Sequence, residues 1–167
     1  MLIDNQFAPA TTAKAPPVGI AFLVSQVGAH AANGFAELLT ELELKPNDAG
    51  ILRLLGSNPG LTQQALSDLL GVFPSQLVAL VDGLESRRLI ERRNNPLDRR
   101  SYQLHLSKKG RKALKEIGRL TNRLEDDLFS AMNRGERLLL HNFMTRIVEQ
   151  QGLTPGVHPA YKQAARQ

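Results

Sequence analysis

The stretch LIERRNNPLDRRSYQLHL, from Leu89 to Leu106, holds two short runs of alternating apolar residues, each suited to a β-strand. A turn-forming segment with Arg99 and Arg100 joins them, giving a basic hairpin. From Arg87 to Lys112 ten Lys or Arg stand against Glu91 and Asp98, a local balance of +8 in a chain of net +5, so all other residues sum to −3. Charge concentrated in one stretch makes a directed positive field, which attracts phosphate or another anionic surface.

The residues before the hairpin read as helices. Pro46 suits the first turn of a helix over Asn47 to Leu55, which Gly56 and the loop Ser57–Asn58–Pro59–Gly60 end. Leu61–Thr62 opens the next helix, with Thr62 as cap and Leu61 and Leu66 at the positions of a hydrophobic staple. Gly71 ends it. Pro74 then starts a further helix whose buried face is Leu77, Leu80, Val81 and Leu84. Two short helices around a glycine-containing turn form a helix-turn-helix, and with the hairpin behind it the order is that of a winged helix-turn-helix over residues 45–107.

Flanking segments extend this core. Residues 1–17, rich in Ala, Thr and Pro, read as an N-terminal arm ending at Pro16–Pro17. From Ile20, the positions Val24, Val27, Ala31, Phe35, Leu38 and Leu42 form the stripe of a long amphipathic helix. Lys108 to about Met132 forms a second, striped by Leu114, Ile117, Thr121, Leu124 and Leu128, and a last helix runs from about Gly135 to Gln151. Sixteen residues with Pro155, Gly156 and Pro159 follow as a tail. These stripes must be buried somewhere, and a second copy of the chain is the expected place. Residues 18–44 and 108–167 are thus read as a helical dimerisation region, with the tails packed on the partner subunit. The fold class is mainly α with a small β-hairpin, a winged core flanked by dimerisation helices.

The 167 residues suffice for one domain with an aliphatic core, since tryptophan is absent and aromatics are 5% of the chain. The absence of cysteine excludes disulfides and thiolate metal sites in this chain. The N-terminal MLIDNQFAPATTAKAPP has neither the charge order nor the apolar run of a signal peptide, and no stretch approaches the roughly 18 apolar residues of a spanning helix. A cytoplasmic protein with no membrane partner is expected. His30, His105, His141 and His158 show no metal-ligand spacing, and no GxSxG, P-loop or dinucleotide fingerprint occurs. Neither a cofactor nor catalysis is expected.

From Leu61 to Gly110 the sequence LTQQALSDLLGVFPSQLVALVDGLESRRLIERRNNPLDRRSYQLHLSKKG resembles the DNA-binding core of the multiple antibiotic resistance regulator (MarR) family. The LTQQALSDLLGV helix, the VDGLE stretch, the LIERR strand, the DRR wing and the LSKKG opening of the next helix follow in that family's order and spacing. The resemblance implies a homodimer on double-stranded DNA, with Arg100 of the wing entering a minor groove, where a narrow A·T-rich groove concentrates negative potential. Asp98 is expected to brace the loop by pairing with Arg92 or Arg99. Ser75 and Gln76 then read base edges in the major groove, while Thr62 and Gln63 meet phosphate at a helix N-terminus. Arg87 and Arg88 are expected phosphate contacts, and Arg92 and Arg99 belong to the same basic surface. Phe73, Val78 and Ala79 depart from the family pattern and make the recognition helix unusually apolar outside. Arg88 stands where the family has glycine, a place that often needs a left-handed backbone.

The resemblance also implies a transcriptional regulator, of repressor type, modulated by a small aromatic or anionic effector. Its cleft would lie between the first helix, the second and the long helix after the wing, with His30, Ala31, Phe35, Leu52 and Leu114 as candidate linings. An effector there would change the spacing of two recognition helices, which must sit about 34 Å apart to enter successive major grooves. The competing reading is a dimeric winged-helix module that docks a protein.

Overall fold

In a computed structural model of the chain, residues 18–96, 98–158 and Tyr161 are described, with Arg99 described by its backbone alone. The N-terminal arm, with Pro16–Pro17, and Pro159 of the tail lie outside the described residues. The described elements run α1 (Ile20–Thr40), α2 (Pro46–Ser57), β1 (Leu61–Thr62), α3 (Gln63–Leu70), α4 (Pro74–Ser86), β2 (Ile90–Asn95), β3 (Asp98–Leu106), α5 (Lys108–Leu128) and α6 (Arg134–Gln150). The chain is mostly helical, as the periodicity indicated.

One strand escaped the sequence reading. Leu61–Thr62 is not the start of a helix but a third strand, antiparallel to β3 with Leu61 opposite Leu104 and Thr62 opposite Gln103. The sheet order is β1-β3-β2. Thr62 serves twice, because its hydroxyl still accepts the Ala65 N–H at 3.1 Å and caps α3.

The turn between α3 and α4 follows from local chemistry. Gly71 takes φ +65°, a left-handed conformation open to glycine, and the buried Ser67 hydroxyl donates to the Val72 carbonyl at 2.8 Å. The helix axes turn through 113° at this break. Leu66, Leu70, Leu77, Val81 and Leu84 meet below it and join Ile51, Leu52 and Leu55 of α2 and Leu104 of β3 in one aliphatic core.

Past the wing, Ser107 ties sheet to helix. Its hydroxyl accepts the Gly110 N–H at 2.9 Å, capping α5, and donates to the Arg88 carbonyl at 2.6 Å. Gly110 is fixed by space: a Cβ there would lie 1.9 Å from the Leu89 carbonyl oxygen. The flanking helices look different from the core. Leu39 is the one buried residue of α1, and α6 buries none, so Ile20, Phe22, Leu23, Val24 and Val27 of α1 and Leu138, Leu139, Phe143 and Ile147 of α6 remain exposed.

The tail departs from its expected position on a partner. Tyr161 is only 4% exposed and lies in the core of its own chain, where its hydroxyl donates to the Asn47 carbonyl of α2 at 2.6 Å. A phenol buries well when its hydroxyl finds an acceptor, and α2 supplies one.

Replacement of Gly110 by Ala should force α5 away from the Leu89 carbonyl and destabilise the chain by about 1–3 kcal/mol. A lowered urea midpoint at unchanged slope is the expected result.

Candidate nucleic-acid interface

From Ile90 to Asn94 the paired strands of the wing alternate, and that separates adjacent arginines. Arg92 lies opposite Leu104 and shares its face, toward α3 and α4, whereas Arg93 lies opposite Gln103 on the other face of the sheet. Arg93 pairs with Glu91 at 3.0 Å on that outer face. Arg92 is instead gripped from the helices: its guanidinium pairs with Asp82 and Glu85 of α4 and donates to the Gln63 amide oxygen at 2.8 Å. Its backbone N–H also donates to Glu85, at 3.2 Å. Partial burial disfavours the charged guanidinium, but the hydrogen bonds and charges of Asp82 and Glu85 outweigh it and raise its pKa.

This corrects the expected role of Arg92. It is committed to α3 and α4 and does not pair with Asp98. Asp98 braces the wing through backbone, accepting the Arg100 N–H at 2.9 Å, while Ser101 donates to the Asp98 carbonyl at 3.1 Å and Asn95 donates to Ser101 at 2.9 Å. The pairing shifts register between Asn94 and Asn95, so the tip turns within this set of bonds. Arg100 is exposed; the Arg99 side chain lies outside the described residues.

Arg100, Asp98, Thr62 and Gln63 line one groove between the start of α3 and the wing, with Gln64, Asn95, Ser101 and Tyr102. Tyr102 was not among the residues singled out from sequence. It lies two residues from the buried Leu104 on the same strand face, beyond the core, and is 51% exposed. That alternation was its signal.

At the start of α4, Ser75 is exposed and Gln76 half-buried, its amide oxygen accepting the Phe73 N–H at 3.4 Å. Phe73 is 62% and Val78 42% exposed, and Ala79 is exposed beside them, so the outer face is as apolar as the sequence indicated. Arg88 has φ +59° and is exposed, in the left-handed conformation expected where the family has glycine. Arg87 differs from its expected place among phosphate contacts. Its guanidinium pairs with Asp48 at 2.9 Å and donates to the carbonyls of Glu43 at 2.8 Å and Gly83 at 3.1 Å. It is spent on holding α4 to the start of α2.

The candidate effector linings differ in burial. His30 is exposed, Ala31 and Phe35 are half-buried, and Leu52 is shut in the core at 0% exposure. Leu114 lines a cavity of about 450 Å³ between α2, the outer sheet face and α5, with Leu55, Leu106, Arg93, His105, Arg111 and Lys115 among its other walls. Apolar stripes alone did not separate core from cavity. Among the described residues no three His, Asp or Glu side chains converge on a metal site, and no single helix is long and apolar enough to cross a membrane.

Comparison with known proteins agrees with this arrangement. Residues 42–101 match the MarR family. A relative from Thauera aromatica, assigned to regulation of the hcr operon, is 35% identical over 122 residues, 72% of this chain and 74% of that protein. The repressor CouR, solved on a 23-mer DNA duplex, is 30% identical with TM-score 0.69, over 78% of this chain and 92% of that one. Wild-type MarR of E. coli in its apo form shares the fold at TM-score 0.70 and 19% identity, over 80% of this chain and 98% of that one.

Arg92→Ala should detach the wing from α4, at a cost of about 1–2 kcal/mol because the partners are partly exposed. Arg92→Lys should recover only part, lacking the planar fork that reaches both carboxylates. Chemical unfolding of the three chains checks this ordering.

Proposed function

The chain belongs to the MarR family, and from that premise we propose that it is a DNA-binding transcriptional regulator, a homodimeric repressor released by a small amphipathic anion. The observation that carries the reading is the groove in which the wing's Arg100 and the α3 N-terminus, with Thr62 and Gln63, face one opening. Helix N-termini suit phosphate, and an arginine on a thin hairpin reaches into a minor groove. The DNA-bound repressor CouR, at 30% identity, supports both the nucleic-acid partner and the repressor sense. This is a binding protein, and its chemistry is recognition rather than turnover.

The bare faces of α1 and α6 support the dimer. Exposed residues such as Phe22 and Val27 on α1 and Leu139 and Phe143 on α6 are apolar side chains repeated along helices that bury one residue and none, as interaction faces do. A second copy covers them and sets the recognition helices about one helical turn of DNA apart. The effector reading rests on the cavity beside Leu114. Its apolar walls Leu55, Leu106 and Leu114 carry Arg93, Arg111 and Lys115 around them, a fit for a carboxylate or phosphate on an apolar body. Such a ligand shifts DNA affinity only by its preference for one arrangement of wing and α5.

Duplexes selected from a random pool by the full chain should carry an inverted repeat with half-sites about one turn apart. On such a duplex, Arg100→Ala should weaken binding by at least about tenfold. It should also flatten the dependence of log affinity on log salt. Failure to enrich any duplex, or wild-type affinity in Arg100→Ala, would remove this reading.

The dimer has its own check. Phe143→Asp places a charge in the apolar face of α6 and should raise the dimer dissociation constant by at least about tenfold, read by sedimentation velocity.

A further inference from the structure

Among the described residues, the tail that follows α6 returns to the winged core along α2, one step from the recognition helix. Tyr161 is buried against α2, its hydroxyl 2.6 Å from the Asn47 carbonyl. Gly50 makes the room: a Cβ there would stand 2.2 Å from the phenol oxygen and about 3.1–3.2 Å from two ring carbons. Just upstream, Gly156 turns with φ +75° over the Arg53 guanidinium, and Val157 packs against the core. Four neighbouring features of tail and helix thus fit one docked conformation.

Asp48 follows Asn47 in the same first turn of α2. Its carboxylate accepts the Lys45 N–H at 3.0 Å and pairs with Arg87 at 2.9 Å. Arg87 is the C-terminal cap residue of α4, and it holds the Gly83 carbonyl of that helix and the Glu43 carbonyl before α2 at once. Lys109 of α5 closes the knot by donating to the Arg87 carbonyl at 3.1 Å. Charged contacts therefore hold the C-terminal half of the recognition helix at two places, at Asp82 and Glu85 by Arg92 and at Arg87 by Asp48. The tail docks beside the second, on the same turn of α2.

We infer that Tyr161 is a positioning residue for DNA recognition: docked on α2, it fixes the turn whose Asp48 holds Arg87 and with it the end of α4. Because the tail leaves directly from α6, the same contact links the proposed dimer arm to the reading head of its own chain. The ring supplies the hold. Asn47 lies in the first turn of α2, where its carbonyl also serves the helix, so the phenol hydrogen bond is an addition rather than a necessity. The inference rests on the DNA-binding reading, and its test separates the two.

In the full chain, Tyr161→Ala and Gly50→Ala remove the docking by different means, and Tyr161→Phe keeps the ring. Gly50→Ala expels the phenol while improving the helix propensity of α2, so weaker binding by that variant does not come from a weakened helix. On a duplex selected by the wild type, both alanine variants should bind about tenfold more weakly, the scale of an ordinary coupling between sites, and Tyr161→Phe within about twofold. In the free protein, both should lose protection of the Arg87 Nε–H and of the α4 amides around Gly83, measured by hydrogen exchange. Wild-type affinity in Gly50→Ala overturns the inference, even where Tyr161→Ala binds poorly, since that variant then suffers only from its cavity. Should the wild type select no duplex, the DNA reading fails by itself, and exchange at Arg87 decides whether the tail holds α4: unchanged protection in Gly50→Ala overturns it.

Discussion

Arg92 is the joint on which the recognition surface depends. A two-stranded hairpin is marginal by itself in water, and this one gains a third strand from Leu61–Thr62 and a grip from the helices through one guanidinium. With Asp82, Glu85 and Gln63 as its partners, Arg92 joins β2 to α4 and to α3. The fork of five donors makes this possible, because a point charge satisfies two carboxylates and an amide less well. Wing, recognition helix and the helix before it are thereby joined through one side chain.

That arrangement alters the meaning of the basic stretch. As a count of charges, residues 87–112 promise a strong field, but Arg87, Arg92 and Arg93 are paired with Asp48, with Asp82 and Glu85, and with Glu91. Arg87 and Arg92 tie separate elements together, Arg93 meets only Glu91 of its own strand, and exposed Arg88 and Arg100 face outward. Charge near a binding face divides into cations that build the face and cations that work on it. The division follows the carboxylates within reach, not the count of charges.

Much of the fold was legible because its signals are local. Pro46, Thr62, Gly71 and Pro74 each start, cap or end a helix within four residues of themselves, and the boundaries of α2, α3 and α4 follow from them. The groove was legible in part, since Thr62, Gln63, Asp98 and Arg100 do meet there. What escaped depended on distant partners. Nothing near Arg87 announces Asp48 and Glu43, thirty-nine and forty-four positions away, and a polar tail with Pro and Gly gives no notice that Tyr161 docks on α2. Helical spacing did not rank the expected cleft linings: Leu52 and Leu114 share it, yet Leu52 is sealed in the core while Leu114, packed against that core, also borders a cavity.

The seventeen residues of α6 bury none of their side chains within the chain. An isolated helix of that length is marginal in water, and the capping box of Asn133 and Glu136, with hydrogen bonds of 2.8 and 3.1 Å, adds little beyond the first turn. Its helicity must therefore draw on whatever covers it. If that cover is a second copy, secondary structure here becomes a matter of mass action, and dilution unwinds α6 while the winged core stays folded.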